Sequence, residues 1–139
     1  MNALVHAHSG LRYVVLALLI AAVGIAIPKW QNNEPGDSKI YTYALISCHV
    51  QLLLGFVLYF ISSKVDFSMM GERLYRFFTV EHTTMMLIAI ILITIGRVRS
   101  RKVEGGIKHR TILFYYAMGL VLIVASIPWP FRNLGAGWF

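Results

Sequence analysis

Apolar residues occur in four long runs along the chain, separated by short polar segments. Each run approaches the roughly 20 residues that a helix needs to cross the hydrocarbon core of a bilayer. The runs cover about residues 4–27, 40–61, 77–96 and 107–127. Proline or glycine marks the connections, as in Pro28 and in Pro35-Gly36. Because short connections favour antiparallel neighbours, the pattern predicts one all-α domain, residues 1–139, in which four transmembrane helices form an antiparallel up-down bundle.

Composition and charge agree with a membrane protein. The 139 residues are 58% hydrophobic and 14% charged, whereas a soluble domain carries about 25% charged residues. The net charge of +7 does not indicate nucleic acid here, because the basic residues crowd between the apolar runs. Eight of the thirteen fall on one side of the predicted bundle: Lys29, Lys39, Arg97, Arg99, Arg101, Lys102, Lys108 and Arg110. The positive-inside rule therefore predicts that loops 28–39 and 97–108 lie in the cytoplasm and both termini outside, which in a bacterium corresponds to an inner-membrane protein.

Ionisable residues lie near the outer ends of the first and third runs: His8, Arg12, Glu81 and His82. Such residues within a span are costly and are functional candidates by default. The helical rise places His8 about 12 Å and His82 about 7 Å to the outer side of the bilayer centre. In an up-down bundle these two runs lie diagonally across the core. Two imidazoles at similar depth could then approach one iron atom from opposite faces.

This arrangement predicts haem b between the helices, with His8 and His82 as the axial ligands of the iron. We expect Arg12 and Arg132 to neutralise the haem propionates. We expect Glu81 to tune the site, either by pairing with Arg12 or by accepting a hydrogen bond from a ligand.

The function expected of such a site is electron transfer between a membrane quinol and a protein partner. The chain would act within a respiratory or other membrane complex, or as a homo-oligomer. The exposed aromatic tail, residues 128–132 and 135–139, would serve as a docking element.

Two further histidines allow a second haem. His49 lies about 4 Å and His109 about 13 Å to the inner side of the bilayer centre by the same helical rise. The difference of about 9 Å is large for two ligands of one iron. His109 also stands between Lys108 and Arg110, which is typical of an interfacial residue. His49 lies near the middle of the second run, where an unpartnered imidazole is costly.

The same residues allow other interpretations. Arg12 and Glu81 could form an ion pair between helices, and the chain would then be a non-catalytic accessory subunit of a membrane complex. His6 and His8 could bind copper, with Met85 and Met86 as soft sulfur ligands nearby. A copper or small-solute permease would have His8, His82 and Met85 on its path. An enzyme acting on its own is the weakest interpretation, because no nucleophile or acid–base pair converges on a pocket.

Four segments of the chain resemble a family of small four-helix bacterial membrane proteins whose members are labelled cytochrome b-like. The segments are 7–13 (AHSGLRY), 49–60 (HVQLLLGFVLYF), 78–86 (FTVEHTTMM) and 127–132 (IPWPFR). Carried over position by position, the resemblance implies the site residues His8, Arg12, His49, Glu81, His82 and His109. The chain also resembles respiratory cytochrome b subunits in placing histidines inside a bundle. Those subunits hold both ligand pairs on two helices, whereas these histidines fall on four.

Overall fold

The computed structural model describes residues 2–139, and this part of the chain is helical without any strand. Four long helices account for most of it: α1 (Asn2–Gln31), α2 (Lys39–Ile61), α3 (Arg73–Ser100) and α4 (Gly106–Ser126). Each is long and apolar enough to cross a membrane. The prediction of an all-α protein with four such helices is therefore confirmed. Two short 3₁₀ turns complete the fold, at Phe67–Met69 and Pro130–Arg132.

The third helix begins at Arg73, earlier than the predicted start at residue 77, and its first turns are irregular. The segment Phe77–Glu81 is a π-helical turn between α-helical Arg73–Arg76 and His82–Ser100. Thr83 Oγ1 donates a hydrogen bond to the carbonyl of Phe78, five residues earlier, at 3.2 Å. A π turn holds more residues than an α turn. It therefore changes which side chains of the following helix face the bundle.

The four helices form a ring in which α1 and α3 each pack against α2 and α4. Helices α1 and α3 are thus diagonal. At one end of the bundle, Arg97 near the end of α3 binds Thr42 near the start of α2. At the other end, His82 in α3 binds Ser126, the last residue of α4. Helix α3 therefore runs in the opposite direction to both α2 and α4.

The core of the bundle consists of residues spaced three or four apart on each helix. Helix α1 buries Val15, Leu19, Ala22 and Ala26, which is one face of a helix. The opposite faces carry large apolar side chains in contact with the surroundings, such as Leu53 at 66% and Phe60 at 81% exposure. Soluble monomers rarely expose a contiguous apolar surface of this kind. It is typical of helices that face lipid.

We call the part of the bundle formed by Lys29–Lys39 and Arg97–His109 the basic end. The buried guanidinium of Arg97 makes two hydrogen bonds to the Asp37 carboxylate, at 2.9 and 2.7 Å. Burial alone would raise the pKa of Asp37, but the hydrogen bonds from Arg97 and from the backbone N–H of Ser38 outweigh it and lower that pKa. The pair joins the start of α2 to the end of α3.

A pH-dependent contribution to stability follows from this pair. A carboxyl whose pKa is lower in the folded than in the unfolded chain stabilises the fold above its unfolded pKa, and this contribution is lost as pH falls through the folded value. Asp37→Asn should therefore lower the thermal midpoint in detergent at pH 6, and the difference from the unmodified protein should shrink below about pH 4. A difference that stays constant down to pH 2 would contradict this account.

Helices α3 and α4 approach so closely at Gly119 that a side chain does not fit. A Cβ atom there would lie 2.5 Å from Cγ1 of Ile93 and 3.1 Å from the carbonyl oxygen of Ala89. Gly119→Ala should therefore destabilise the bundle by about 1–3 kcal/mol, the usual cost of overpacking. Gly24→Ala is the matched control, because a Cβ at Gly24 meets no atom within 4 Å. The thermal midpoints of both variants are measured in detergent. Equal midpoints for Gly119→Ala and Gly24→Ala would refute the close contact at Gly119.

Candidate cofactor-binding cavity

A cavity of about 490 Å³ lies at the opposite end of the bundle, which we call the cavity end. It is bounded by α1, α2 and α3, by the end of α4, and by the C-terminal segment Gly135–Phe139. Its polar wall includes His8 and Arg12 of α1, Gln51 of α2 and His82 of α3. Small-molecule sites in proteins typically measure about 300–1,000 Å³ and combine an apolar lining with a few polar groups. The cavity has both properties.

His82 is held in one orientation by the end of α4. Its Nδ1 lies 2.8 Å from the carbonyl oxygen of Ser126, an oxygen that can only accept, so Nδ1 carries the proton. The last carbonyls of a helix lack partners within it, which makes Ser126 available for this bond. Nε2 of His82 therefore keeps its lone pair. A histidine fixed through one nitrogen to a carbonyl, with the other nitrogen unprotonated, is the usual state of a metal-binding histidine.

His8 lies on α1 at the same cavity, and its Nδ1 is buried without a hydrogen-bond partner. The ring packs against α2 where that helix has a glycine. A Cβ at Gly55 would lie 3.2 Å from Cε1 of His8, so a larger residue would press on the ring. One turn earlier, the side-chain amide of Gln51 donates to the His8 carbonyl at 2.8 Å. Helix α2 therefore fixes the backbone of His8 and leaves room for its ring.

Arg12 is 7% exposed and binds the end of the chain. Its Nη2 donates to the carbonyl of Gly137 at 3.2 Å and also to that of Trp138. The hydroxyl of Tyr13 donates to the same Trp138 carbonyl at 2.7 Å. Nε of Arg12 is buried and has no partner. Part of the tail that we expected to be free for docking thus folds back over the cavity.

Two residues predicted to act at the site of His8 and His82 do not line the cavity, Glu81 and Arg132. Glu81 pairs with Arg76 at 3.1 Å, with both side chains about half exposed, rather than with Arg12. Glu81 is the last residue of the π turn. Because this turn contains an extra residue, His82 faces the bundle and Glu81 does not. Arg132 donates to the carbonyls of Ala125 and Ile127, both at 3.0 Å. It therefore caps the end of α4, and the expectation that it neutralises a propionate has no support from its position.

The structure does not bring His49 and His109 together. Nε2 of His49 lies 3.0 Å from Oγ1 of Thr94 on the exposed side of α2. His109 is fully buried at the basic end, where Nδ1 bonds the Tyr41 hydroxyl at 2.7 Å and Nε2 bonds the Glu34 carbonyl at 3.2 Å. Both ring nitrogens of His109 are therefore used within the protein. These contacts give the expectation of a second haem at His49 and His109 no geometric support.

Sequence reasoning expected Gly55 to allow close approach of helices, and it assigned no role to two other residues that build the cavity, Gln51 and Ser126. An uncharged amide within an apolar run was a usable signal for Gln51, because such a group needs partners inside a membrane. Ser126 acts through its backbone carbonyl, and its residue type does not indicate this role.

The predicted copper site gains no geometric support. Within residues 2–139, no three His, Cys, Asp or Glu side chains lie close enough together to hold a metal ion. Of the residues considered for copper, His6, His8 and Met86 line the cavity.

Comparison with known proteins does not add to this picture. No protein-family model, curated protein or solved structure matches the chain.

The position of the tail can be tested through Cys48, the only cysteine of the chain, which is 1% exposed and lines the cavity. Removing Gly135–Phe139 takes away the carbonyls that Arg12 binds. We expect a lower thermal midpoint, because a hydrogen bond to a charged group contributes about 1.5–3 kcal/mol, and faster labelling of Cys48 by a small maleimide.

The control for this experiment is Trp138→Ala, which keeps the backbone carbonyls and removes a side chain that is about half exposed. Its Cys48 labelling rate should remain close to that of the unmodified protein. Equal labelling rates in all three proteins would show that the tail does not cover the cavity.

Proposed function

We propose that this protein is a b-type haem carrier of the membrane, which holds one haem at the cavity end and passes electrons to a partner. The observation that carries the proposal is that His8 and His82, from the two diagonal helices, line one cavity. The proposal concerns one haem, because His109 has no free ring nitrogen.

The chemistry of the donor set fits a haem. Nε2 of His82 has a lone pair because Nδ1 is engaged with Ser126, and His8 has an unpartnered ring nitrogen in the same cavity. Arg12 Nε, also unpartnered, is a donor that suits a propionate. Phe56, Phe78 and other apolar side chains supply the rest of the lining. Gly55 gives the His8 ring the room that a Cβ would occupy.

Each of these residues has a role that its contacts explain. Bound haem supplies one-electron chemistry, at a potential set by its axial ligands and surroundings. His82 is oriented by Ser126, so its lone pair direction does not depend on the cofactor. Arg12 ties the C-terminal segment over the cavity, which restricts access of water.

We further propose that the basic end faces the cytoplasm of a bacterium and that both termini lie outside the inner membrane. Eight Lys and Arg residues near the basic end support this orientation under the positive-inside rule. The cavity then lies near the outer face. A redox partner outside the membrane would meet the chain there, within a membrane complex or a homo-oligomer.

The alternative function is that of a non-catalytic subunit of a membrane complex. The hydrogen bond from Arg12 to the carbonyl of Gly137 favours this alternative. Binding of the C-terminal segment is a structural role that accounts for a buried arginine in α1 without a cofactor. In that case replacing His82 would affect assembly or stability, and the purified protein would contain no cofactor.

The experiment that separates the two functions is a reduced-minus-oxidised optical spectrum of the purified protein, with haem per chain from a pyridine haemochrome assay. We expect one haem b per chain. His8→Ala and His82→Ala should each lower the haem content several-fold, because each removes one axial ligand.

The matched control is His49→Ala, since His49 is a histidine of α2 that lies outside the cavity. Its haem content should stay at that of the unmodified protein. A purified protein without a Soret band, after expression in haem-replete cells, would refute the haem proposal. An equal loss of haem in His8→Ala, His82→Ala and His49→Ala would refute the assignment of His8 and His82 as the ligands.

A further inference from the structure

Positive side chains greatly outnumber negative ones at the basic end. Residues 28–39 and 97–110 contain eight Lys and Arg against three Asp and Glu, a difference of +5. In the part of the chain that the structure describes, only two of the eight form an ion pair, Lys29 with Glu34 and Arg97 with Asp37. Six basic residues therefore lack a negative partner: Lys39, Arg99, Arg101, Lys102, Lys108 and Arg110.

The five Lys and Arg residues of the cavity end are used differently. Arg12 and Lys64 donate to carbonyls of the C-terminal segment. Arg132 caps α4, and Arg76 pairs with a glutamate. Among residues 2–139, only Arg73 of this group makes no such contact. The positive charge that is available to an anion from outside the chain is therefore concentrated at the basic end.

Two of the unpaired arginines lie on α4 or in contact with it, and aromatic side chains hold both. Arg99, near the end of α3, donates from Nη1 to the Tyr115 hydroxyl at 2.9 Å, and its guanidinium carbon lies 5.8 Å from the centre of that ring. The guanidinium carbon of Arg110 lies 5.4 Å from the centre of the Phe114 ring. Both arginines are exposed. Each therefore has a defined position and N–H groups that remain free to donate.

The surface beside these arginines is apolar. Trp30 at the end of α1 packs edge-on against Phe114, with ring centres 6.2 Å apart, and aromatic residues of this kind mark the membrane interface. Towards the middle of the bundle, α4 continues with a row of exposed apolar side chains: Phe114, Met118 and Val121. A ligand that matches both parts of this surface carries a negative group and long apolar chains.

We propose that Arg99 and Arg110 bind the phosphate group of an anionic phospholipid, whose acyl chains lie along the exposed face of α4. Phosphate oxygens suit the planar donor group of arginine, and basic pockets between transmembrane helices bind acidic head groups. A zwitterionic phospholipid fits less well, because its own cation balances the phosphate charge. This site lies at the opposite end of the bundle from the haem cavity, so it does not depend on haem.

The test compares two phospholipids that share their acyl chains and differ in charge. Dioleoyl phosphatidylglycerol is negatively charged, whereas dioleoyl phosphatidylcholine has no net charge. Native mass spectrometry of the detergent-purified protein, titrated with each lipid, gives the fraction of chains that retain one lipid molecule. We expect phosphatidylglycerol to bind at least about fivefold more tightly, because one basic residue near a membrane surface contributes about 1 kcal/mol.

Arg99→Gln and Arg110→Gln should each lower the affinity for phosphatidylglycerol about fivefold and leave that for phosphatidylcholine unchanged. Arg73→Gln is the matched control, because it removes the same charge from an exposed arginine at the other end of α3; it should keep the full affinity. If Arg99→Gln does not fold, Tyr115→Phe replaces it. This variant lacks the hydroxyl that positions Arg99 and should lower the affinity about threefold.

Three results would overturn the inference. The first is equal affinity of the unmodified protein for the two lipids. The second is an equal loss of affinity in Arg99→Gln, Arg110→Gln and Arg73→Gln, which would indicate attraction to net charge alone. The third is displacement of phosphatidylglycerol by sodium phosphate but not by sodium chloride of the same ionic strength, which would show that the site binds free phosphate rather than a phospholipid.

Discussion

The guanidinium of Arg12, buried inside an apolar helix, is the constraint that organises the cavity end. A charge in this position is tolerated only with hydrogen-bond partners. The chain provides them by folding its last residues back, so that the carbonyls of Gly137 and Trp138 accept from Nη2. The same fold-back makes the C-terminal segment a wall of the cavity. One electrostatic requirement thus fixes the tail, closes the cavity and leaves Nε of Arg12 directed to a ligand.

The basic end meets the same requirement differently. Arg97 is as well buried as Arg12, but a carboxylate satisfies it. Asp37 accepts two hydrogen bonds from its guanidinium, and the Thr42 hydroxyl oxygen accepts two more. His109 likewise has both ring nitrogens bonded within the protein. Among residues 2–139, no buried side-chain nitrogen or oxygen atom at the basic end lacks a hydrogen-bond partner. The interior of the basic end is therefore a structural junction, and the unsatisfied buried groups that call for a ligand are confined to the cavity end.

The sequence predicted the parts of this structure that depend on periodicity and length. Four apolar runs indicated four helices, and depth along the helices indicated that His8 and His82 belong to one site. The structure places both at one cavity. The positions of Glu81 and Arg132 could not be predicted in this way. A π turn and the free carbonyls at the end of α4 decide them, and both depend on backbone geometry that residue types do not reveal. The fold-back of the tail was missed for a related reason, since the residues that Arg12 binds contribute only their carbonyls.

The central claim is that His8 of α1 and His82 of α3 serve one iron atom. Electron paramagnetic resonance of the oxidised protein at low temperature tests it most directly, because the signal reports the axial ligands of ferric haem. The account predicts a low-spin signal typical of two histidine ligands, which becomes high-spin in His8→Gly and returns to low-spin when imidazole is added. A high-spin signal in the unmodified protein, or a low-spin signal that His8→Gly leaves unchanged, would contradict it.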